Sequence, residues 1–449
     1  KMPNERIYIE DTIVASASGD GSAGVNVIRV SGPDTEDIAS ILLKSLPEPR
    51  IASYTKFQNK KKETIDLGIA LYFPAPNSYT GESILELHAH GGSIIGNSII
   101  EEIISLGARQ AQPGEFTKRA YLNGKIDLTQ AEAVADLINS GTKRSAKAAI
   151  QSLTGKFSNL VKSLDEQLTK LRLFVEASID FPEEDIDFLA DEKLIDEISS
   201  CNSLYKSLIS GASSGEILRN GVRVAIIGLP NAGKSSLLNL LSGSNKAIVT
   251  DIAGTTRDIL NVSVDIDGIL FDFFDTAGYR ETPEKIEAEG IKRTNKLLRG
   301  VDLAIWVHDI SANEELDTCY IPDDLDYIIA NNKIDLIHGK IRKNVNQRTV
   351  NISAQNGEGL ENLIAKTKSS IQENLSGDGI FTARSRHIDS LKKSYEYFLA
   401  GKSQLENQRA GELFAEDIKQ AKNELSEITG EMTSDELLGK IFSEFCIGK

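Results

Sequence analysis

The spacing of apolar positions changes three times along the chain. From Asp11 to about Tyr121, short apolar runs such as 24–30 and 83–87 alternate with turn-rich pieces. This alternation is typical of strands and helices in one mixed α+β domain. After Lys125, apolar residues recur at helical spacing.

Two separated stretches show the helical spacing, and we predict one apolar face in each. In the first stretch the face consists of Phe157, Leu160, Val161, Leu164, Leu168 and Leu171. In the second it consists of Leu413, Phe414, Ile418, Ala421, Leu425 and Ile428. Because each apolar stripe needs an apolar partner, we expect both stretches to pack into one helical bundle.

A third pattern separates the two helical stretches. From the strand-like run 222–227 to about Ser370, strands alternate with helices, as in a parallel sheet covered by helices. The predicted fold class is therefore multidomain α/β, with a doubly wound sheet domain inserted into a helical domain. The predicted segments are an N-terminal α+β domain (1–123), the first helical part (124–217), the inserted sheet domain (218–374) and the second helical part (375–449).

Composition and charge narrow the possible functions. The 449 residues include 66 acidic and 50 basic side chains, for a net charge of -16, which excludes a uniformly basic nucleic-acid surface. Segment 180–197 alone holds nine carboxylates and one base, Lys193, and is expected to be an exposed helix or loop. No apolar run reaches the ~18 residues of a membrane span.

The cysteines and histidines offer no metal framework. Cys201, Cys319 and Cys446 are far apart and odd in number, which favours a reducing compartment, and we expect the cytosol. His88 and His90 would lie on one face of a strand, but two histidines without a third ligand are more often structural.

The strongest chemical signal is Gly228-Leu-Pro-Asn-Ala-Gly-Lys-Ser235, which follows a predicted strand and precedes the apolar helix 236–241. This is the context of a phosphate-binding P-loop. Backbone N–H groups would surround the β-phosphate, Lys234 would reach the β and γ oxygens, and the Ser235 hydroxyl would bind Mg²⁺. The predicted contacts are Asn231, Ala232, Gly233, Lys234, Ser235 and Ser236.

Four further elements follow in the order that a GTPase needs. Gly254-Thr-Thr-Arg257 supplies Thr256 as a second Mg²⁺ ligand, and Asp275-Thr-Ala-Gly278 supplies a carboxylate near the metal and a backbone N–H for the γ-phosphate. In Asn332-Lys-Ile-Asp335 a carboxylate can accept hydrogen bonds from the N1–H and amino groups of guanine, and Ser353-Ala-Gln355 can contact the guanine carbonyl. The predicted nucleotide is therefore GTP, and the inserted segment 218–374 is predicted to be a Ras-like P-loop GTPase (G) domain. Of these segments, the predicted contact residues are Thr256, Asp275, Thr276, Ala277, Gly278, Asn332, Lys333, Asp335, Ser353, Ala354 and Gln355.

One expected group is missing. Tyr279 follows Gly278, at the position where many GTPases have a water-orienting glutamine. The acids that could replace it are Glu281, Glu284, Glu287 and Glu289.

With these elements the sequence resembles the TrmE (MnmE) family of tRNA-modification GTPases. The resemblance also covers 76–82, 112–119 and the segment Phe445-Cys-Ile-Gly-Lys449. It implies a homodimer joined through the first domains, which works with the flavoprotein MnmG on carbon 5 of the wobble uridine in tRNA. A 5-formyltetrahydrofolate or related tetrahydrofolate would supply the one-carbon unit. The implied folate ligands are Arg29, Glu86, Lys125 and Lys449.

The resemblance also implies a potassium site beside the phosphates and a water-orienting acid. The K⁺ ligands would be Asn231, Thr250, Ile252 and Thr255, in a loop whose nucleotide contacts are Thr250, Asp251, Ile252, Ala253, Gly254 and Thr255. Glu287 would orient the attacking water, so that Glu287, Lys234 and Asn231 form the predicted catalytic set. Cys446 matches the family's C-terminal cysteine, for which thiol chemistry and a buried hydrophobic role both stay open.

Two other classes of function compete with this prediction. A regulatory G protein of ribosome assembly would need an RNA-binding accessory module, such as a basic KH domain, and none is evident in the sequence. A folate-binding one-carbon transferase would make the GTPase incidental.

Overall fold

The computed structural model describes residues 11–19, 23–180, 192–244, 247–248, 261–275, 298, 300–312, 321–323, 325–337, 347–372, 381–408, 410–431 and 434–449. The chain forms two compact units. The first unit comprises Lys1–Ala135 and Ser426–Lys449, and the second unit comprises Asp136–Leu425. The domain boundaries predicted at 124, 218 and 375 stay predictions.

Helices and strands follow one another along the described part of the chain. In chain order they are β1 (Ile13–Ser16), β2 (Val25–Ser31), α1 (Thr35–Leu43), β3 (Ser53–Gln58), β4 (Thr64–Phe73), β5 (Ile84–His90), α2 (Ser93–Ser105), β6 (Arg109–Gln110), α3 (Glu115–Leu122), α4 (Leu128–Ile138), α5 (Lys143–Leu153), α6 (Lys156–Asp180), α7 (Glu192–Asn220), β7 (Val222–Ile227), α8 (Lys234–Ser242), β8 (Ala247–Ile248), β9 (Asn261–Ile266), β10 (Ile269–Asp275), β11 (Leu303–Asp309), β12 (Tyr327–Asn332), β13 (Thr349–Asn351), α9 (Leu360–Gln372), α10 (Ser385–Gln408), α11 (Gly411–Thr429) and α12 (Asp435–Ser443).

The first unit is built on a six-stranded sheet in the order β3-β4-β5-β2-β1-β6. Its neighbouring strands are antiparallel except for the parallel pair β1 and β6. Side chains alternate between the two faces of each strand. On one face Ala70 and Leu85 join Ile38 of α1 and Ile99 of α2 in a single core. The predicted α+β character of this region is confirmed.

The opposite face of this sheet carries polar and exposed apolar side chains. Arg29 of β2 lies opposite Glu86 of β5. In the neighbouring row, Ile69 of β4 is 38% exposed and its cross-strand partner Tyr54 is 74% exposed. This face therefore presents both an ion pair and apolar surface.

A buried cluster of charges ties the start of the first unit to α3. The Arg119 side chain is 4% exposed and contacts Asp11 at 2.6 Å, Glu82 at 3.0 Å and Glu115 at 3.1 Å. Arg109 contacts Asp11 and Glu115 at 2.6 Å each. Burial tends to raise the pKa of Glu115, but the hydrogen bonds from Arg109 and from a backbone amide outweigh burial and lower the pKa.

The helical stretches of the second unit pack as predicted. Tyr205 of α7 shares a buried hydrogen bond with Ser394 of α10 at 2.7 Å, and Ser394 also donates to the Ala421 carbonyl of α11 at 2.7 Å. Both apolar faces are buried, apart from two predicted members. Leu160 is half-buried and Leu413 is 50% exposed.

The prediction for Leu413 was wrong for a geometric reason. Residues 414, 418, 421, 425 and 428 are separated by three or four positions and share one face of α11. Leu413 immediately precedes Phe414 and is therefore turned about 100° away from that face. Of the acidic segment 180–197, residues 181–191 lie outside the described ranges, and α7 begins at Glu192.

The inserted region forms a seven-stranded sheet in the order β13-β12-β11-β7-β10-β9-β8. The five strands from β13 to β10 are parallel to one another, whereas β9 is antiparallel to both β10 and β8. Along β7, Val224 and Ile226 belong to one core, and Ala225 and Ile227 belong to a second core on the other face. The predicted doubly wound sheet is confirmed. Each helix in the described part falls short of a membrane span in length or in apolar character.

We expect Arg119→Met to destabilise the first unit by about 3–5 kcal/mol, because it removes the buried guanidinium that contacts Asp11, Glu82 and Glu115. Urea unfolding followed by far-ultraviolet circular dichroism measures the loss. Arg172→Met is the matched control, since Arg172 and Glu176 form a half-exposed i,i+4 pair whose loss costs ~1 kcal/mol or less. Equal effects of the two substitutions would contradict the importance of the cluster.

Candidate functional site

The predicted P-loop is the turn between β7 and α8. The turn needs residues that tolerate positive φ, and Gly228, Asn231 and Gly233 have φ values of 144°, 63° and 99°. A Cβ on Gly228 would lie 2.3 Å from the Val307 carbonyl oxygen, so only glycine fits there. The helix begins at Lys234, two residues earlier than predicted.

Lys234 spans the P-loop from the inside. Its side chain is buried, and Nζ donates hydrogen bonds to the carbonyl oxygens of Gly228 at 2.9 Å and Leu229 at 2.8 Å. The ammonium group thus lies at the N-terminus of α8, where the loop amides also favour an anion. A phosphate oxygen can replace these carbonyl oxygens as its acceptor.

Two oxygen donors meet beside the P-loop. The Ser235 hydroxyl donates to Asp275 Oδ2 at 3.3 Å, and Asp275 is 5% exposed at the end of β10. Hydroxyl and carboxylate oxygens are the ligand types that Mg²⁺ prefers. These two residues therefore fit the predicted magnesium position.

The buried side chain of Asn332 links the phosphate loop to the loop 353–355. Its Nδ2 donates to the Ala232 carbonyl at 2.7 Å, and its Oδ1 accepts from the Ala354 amide at 2.9 Å. Asn332 is 2% exposed, and a Cβ on Gly233 would lie 2.1 Å from its Nδ2. Three segments that are far apart in sequence are thereby held in one arrangement.

The base side of the site is already ordered by hydrogen bonds. Ser353 Oγ donates to Asp335 Oδ1 at 2.5 Å, which fixes the carboxylate predicted to recognise guanine. Lys333 Nζ contacts Asp309 Oδ2 at 2.5 Å. Burial tends to raise the pKa of Asp309, but the hydrogen bonds from Lys333 and Ser311 together outweigh burial and lower the pKa. Of the remaining predicted contacts here, Ser236 and Gln355 are exposed.

Asp309 was missed by the sequence analysis. It ends β11, and its register partner is Asn332 at the end of β12. Polar residues at the carboxyl ends of neighbouring parallel strands meet at one edge of the sheet, where α/β proteins bind ligands. The position of Asp309 at the carboxyl end of a strand was the signal that could have identified it.

Several predicted residues lie outside the described ranges. They are Thr250, Asp251, Ile252, Ala253, Gly254, Thr255, Thr256, Thr276, Ala277, Gly278, Tyr279, Glu281, Glu284, Glu287, Glu289 and Cys319.

In the first unit, Arg29 and Glu86 form a charged pair on the sheet. Arg29 Nε donates to Glu86 Oε1 at 2.8 Å. The Arg29 guanidinium also lies 5.5 Å from the ring centre of Tyr79 and 5.6 Å from that of Phe116, which is within the range of cation–π contacts for both rings. Tyr79 and Phe116 belong to the motifs 76–82 and 112–119, but the sequence alone did not single them out.

The C-terminal segment lies against the same part of the first unit. The Gly114 amide donates to the Cys446 carbonyl at 3.3 Å, and the Phe116 amide donates to the Lys449 carbonyl at 3.1 Å. Gly448 has φ 94°, and a Cβ on it would lie 1.8 Å from the Ser16 carbonyl oxygen. The segment therefore fits only with glycine at this position.

Lys449 thus shares Phe116 as a neighbour with Arg29. Lys125 is exposed after α3 and makes no hydrogen bond to Arg29, Glu86 or Lys449 among the described residues. Its amide donates to the Ala120 carbonyl at 2.9 Å.

The described cysteines differ in exposure. Cys446 is exposed, which contradicts a role as a small buried hydrophobic residue. Cys201 is buried, and burial raises the pKa of its thiol to about 12, so it stays protonated at neutral pH.

The two histidines of β5 contact carboxylates. His90 Nδ1 lies 2.8 Å from Asp66 Oδ1, and His88 Nε2 lies 3.8 Å from Glu86 Oε2. No group of three or more potential metal ligands of the His, Cys, Asp and Glu types occurs within the described ranges.

Comparisons with known proteins cover almost the whole chain. A family model described as "MnmE helical domain" matches residues 128–446, and one described as "GTP-binding protein TrmE N-terminus" matches residues 12–125. The tRNA modification GTPase MnmE of Coxiella burnetii is 47% identical over 447 residues, 98% of this chain and 99% of the relative. Proteins of the same name from Marinobacter nauticus and Vibrio cholerae are 45% identical over 451 and 450 residues, with the same shares covered.

We expect Asp335→Asn to weaken GTP binding and to admit xanthosine triphosphate, whose carbonyl replaces the guanine amino group. Ser353→Ala is the matched control: it loses the hydroxyl that orients Asp335 but keeps the carboxylate, so GTP should remain preferred. Competition binding with GTP and xanthosine triphosphate measures both. An unchanged preference for GTP in Asp335→Asn would show that another group selects the base.

Proposed function

The chain belongs to the MnmE (TrmE) family of tRNA modification GTPases and is itself a GTPase of tRNA modification, and from this premise we propose its specific reaction. It hydrolyses GTP in a K⁺-dependent manner while an aminomethyl-type group is added to carbon 5 of wobble uridine. The flavoprotein MnmG is its partner, tRNA its substrate, a tetrahydrofolate its one-carbon donor, and the cytosol its compartment. Family membership favours this reaction over a role in ribosome assembly.

The observation that carries the GTPase part is the bridge made by Asn332. Because this one side chain holds the P-loop and the loop 353–355 together, the phosphate and base positions are set before nucleotide binds. Such preorganisation reduces the ordering that binding would otherwise require.

In the proposed hydrolysis, Lys234 would face the β and γ oxygens, and Ser235 with Thr256 would hold Mg²⁺. Asn231 stands at the open side of the P-loop in a left-handed conformation, with its side chain exposed. With Thr250, Ile252 and Thr255 it would hold K⁺, whose positive charge beside the phosphates would replace that of an arginine finger. Glu287 orients the attacking water through a second water that bridges the two.

The proposed folate site centres on Arg29 and Glu86. A folate has a glutamate tail whose carboxylates a guanidinium can pair, and a pterin edge that a carboxylate can accept from. The rings of Tyr79 and Phe116 both contact the Arg29 guanidinium. Lys449 and Lys125 complete the proposed set.

We also propose that the exposed sheet face joins two copies of the chain. Tyr54 and Ile69 are large apolar residues at its surface, and Val25 is 54% exposed at the end of β2. Apolar surface of this kind is typical of an interface. Since Arg29 and Glu86 belong to the same face, a second copy would lie next to the folate site.

GTP turnover should be faster in KCl than in NaCl at equal ionic strength. Asn231→Ala should lower the KCl rate by about 10-fold or more, as expected for loss of a fixed electrostatic contact. Asn231→Gly should have the same effect, because glycine keeps the positive φ and removes only the side chain. Asn239→Ala, at an exposed position of α8, is the control. Equal rates in both salts would refute the potassium site.

Glu287→Ala should retain GTP affinity and lose about 10²-fold in rate, because it removes the group that positions water. Glu281→Ala and Glu284→Ala should behave nearly as wild type. Single-turnover hydrolysis at saturating K⁺ is the measurement, since it excludes nucleotide exchange. A wild-type rate in Glu287→Ala would show that another group orients the attacking water.

Deleting residues 446–449 should abolish wobble-uridine modification and leave GTP turnover largely intact. Gly448→Ala should do the same, because its Cβ would collide with the Ser16 carbonyl. Gly439→Ala is the matched glycine control, since a Cβ there meets nothing within 4 Å. Mass analysis of tRNA from cells that carry only each variant reports the modification.

Binding of 5-formyltetrahydrofolate to the purified variants separates two explanations. Loss of binding in the deletion and in Gly448→Ala supports a ligand role for Lys449. Undiminished affinity in the deletion would show that Lys449 is not a ligand.

A further inference from the structure

The hairpin of β9 and β10 links its turn firmly to the strand that ends at Asp275. Its two-residue turn, Asp267-Gly268, has positive φ at both positions, 54° and 86°, which is the pattern of a tight type I′ turn. Six registered pairs run from Ile269 opposite Ile266 to Phe274 opposite Asn261. β10 is also paired with β7 over five residues, so the positions of the turn and of Asp275 are linked through paired strands.

One end of this hairpin belongs to the GTP site. β10 ends at Asp275, whose Oδ2 accepts from Ser235 at 3.3 Å. β9 begins at Asn261, five residues after the predicted magnesium ligand Thr256. Seven residues at about 3.3 Å each put the turn roughly 20 Å from Asp275.

The other end of the hairpin rests on the N-terminus of α5, in the helical part of the second unit. Thr142 Oγ1 donates to the Gly268 carbonyl at 2.7 Å and accepts from the Ser145 amide at 3.1 Å. Thr142 is the N-cap of α5 and forms a capping box with Ser145. One hydroxyl therefore serves both the helix cap and the hairpin turn.

Close packing surrounds this contact. A Cβ on Gly268 would lie 2.7 Å from Arg144 Cβ, and a Cβ on Gly221, after α7, would lie 2.8 Å from the Leu270 carbonyl oxygen. Ala148 of α5 and Leu218 of α7 belong to the same hydrophobic core as Ile269 and Phe271. The turn consequently has little room to move without disturbing the cap.

We propose that Thr142 is a positioning residue for GTP hydrolysis, which fixes the β9–β10 hairpin and couples the state of the nucleotide to helix α5. When Asp275 changes its contact with Ser235, the hairpin carries the change to Gly268. Thr142 then loses or gains its donated hydrogen bond, and the cap of α5 loosens or tightens. Coupling between two sites is reciprocal, so the cap also biases the position of Asp275.

The proposal is tested by hydrogen exchange of the full chain with GDP and with a non-hydrolysable GTP analogue, in the presence of Mg²⁺. In wild type, amides in the first turn of α5 should exchange at rates that differ by about 5-fold between the two nucleotides. In Thr142→Val, which keeps the shape and removes the hydroxyl, this difference should vanish. The Mg²⁺ concentration for half-maximal turnover should also rise in this variant.

Two controls separate coupling from simple loss of the helix cap. Thr142→Ser keeps the hydroxyl and should restore both readouts. Ser145→Ala removes the reciprocal half of the capping box but leaves the hydrogen bond to Gly268, so it should raise exchange in both nucleotide states and keep their difference.

A substitution in the hairpin turn provides a second test in case Thr142→Val does not fold. Gly268→Ala forces the turn away from Arg144 and should likewise remove the nucleotide-dependent difference. The proposal is overturned if wild type shows no difference between the two nucleotides, or if the difference persists in both Thr142→Val and Gly268→Ala.

Discussion

The side-chain amide of Asn332 is buried between an acceptor on the P-loop and a donor on the loop 353–355, and the geometry of the nucleotide site depends on both hydrogen bonds. A buried amide that lost either partner would carry an unsatisfied polar group, which typically costs about 1–3 kcal/mol. The two loops are therefore held at a fixed separation, because moving either loop away from Asn332 would break one of these hydrogen bonds. Lys333 and Asp335 follow Asn332 in the same motif. Lys333 is fixed by its contact with Asp309, and Asp335 is fixed by its contact with Ser353.

The nucleotide motifs could be predicted because their function depends on local sequence. A P-loop requires glycine or asparagine at positive φ, and Gly228, Asn231 and Gly233 stand at those positions. The doubly wound sheet was predictable from strand and helix spacing for the same reason. Asp309 was not, because its importance comes from the register of β11 against β12, which no short stretch of sequence contains.

The candidate site of the first unit was accessible only through family resemblance. Arg29 and Glu86 are 57 positions apart, and only the pairing of β2 with β5 brings them together. Tyr79 and Phe116 reach Arg29 from a loop and a helix, so neither follows a periodic pattern. Leu413 shows the opposite failure. The prediction placed it on the apolar face of α11 because it is apolar and adjacent to Phe414, but its side chain is turned away from that face.

The first unit is closed by contacts between distant parts of the chain, and this has a consequence for the order of folding. The Tyr121 hydroxyl donates to the Gly430 carbonyl, 309 positions away, and α12 packs against α4 in one core. In the sequence, the second unit, Asp136–Leu425, is one continuous segment between the two segments of the first unit. During synthesis on the ribosome, the GTPase sheet can therefore fold before the residues that close the first unit have been made. The sheet core of the first unit lies within the residues made first, but the core that α4 shares with α12 stays open for most of the time that translation takes.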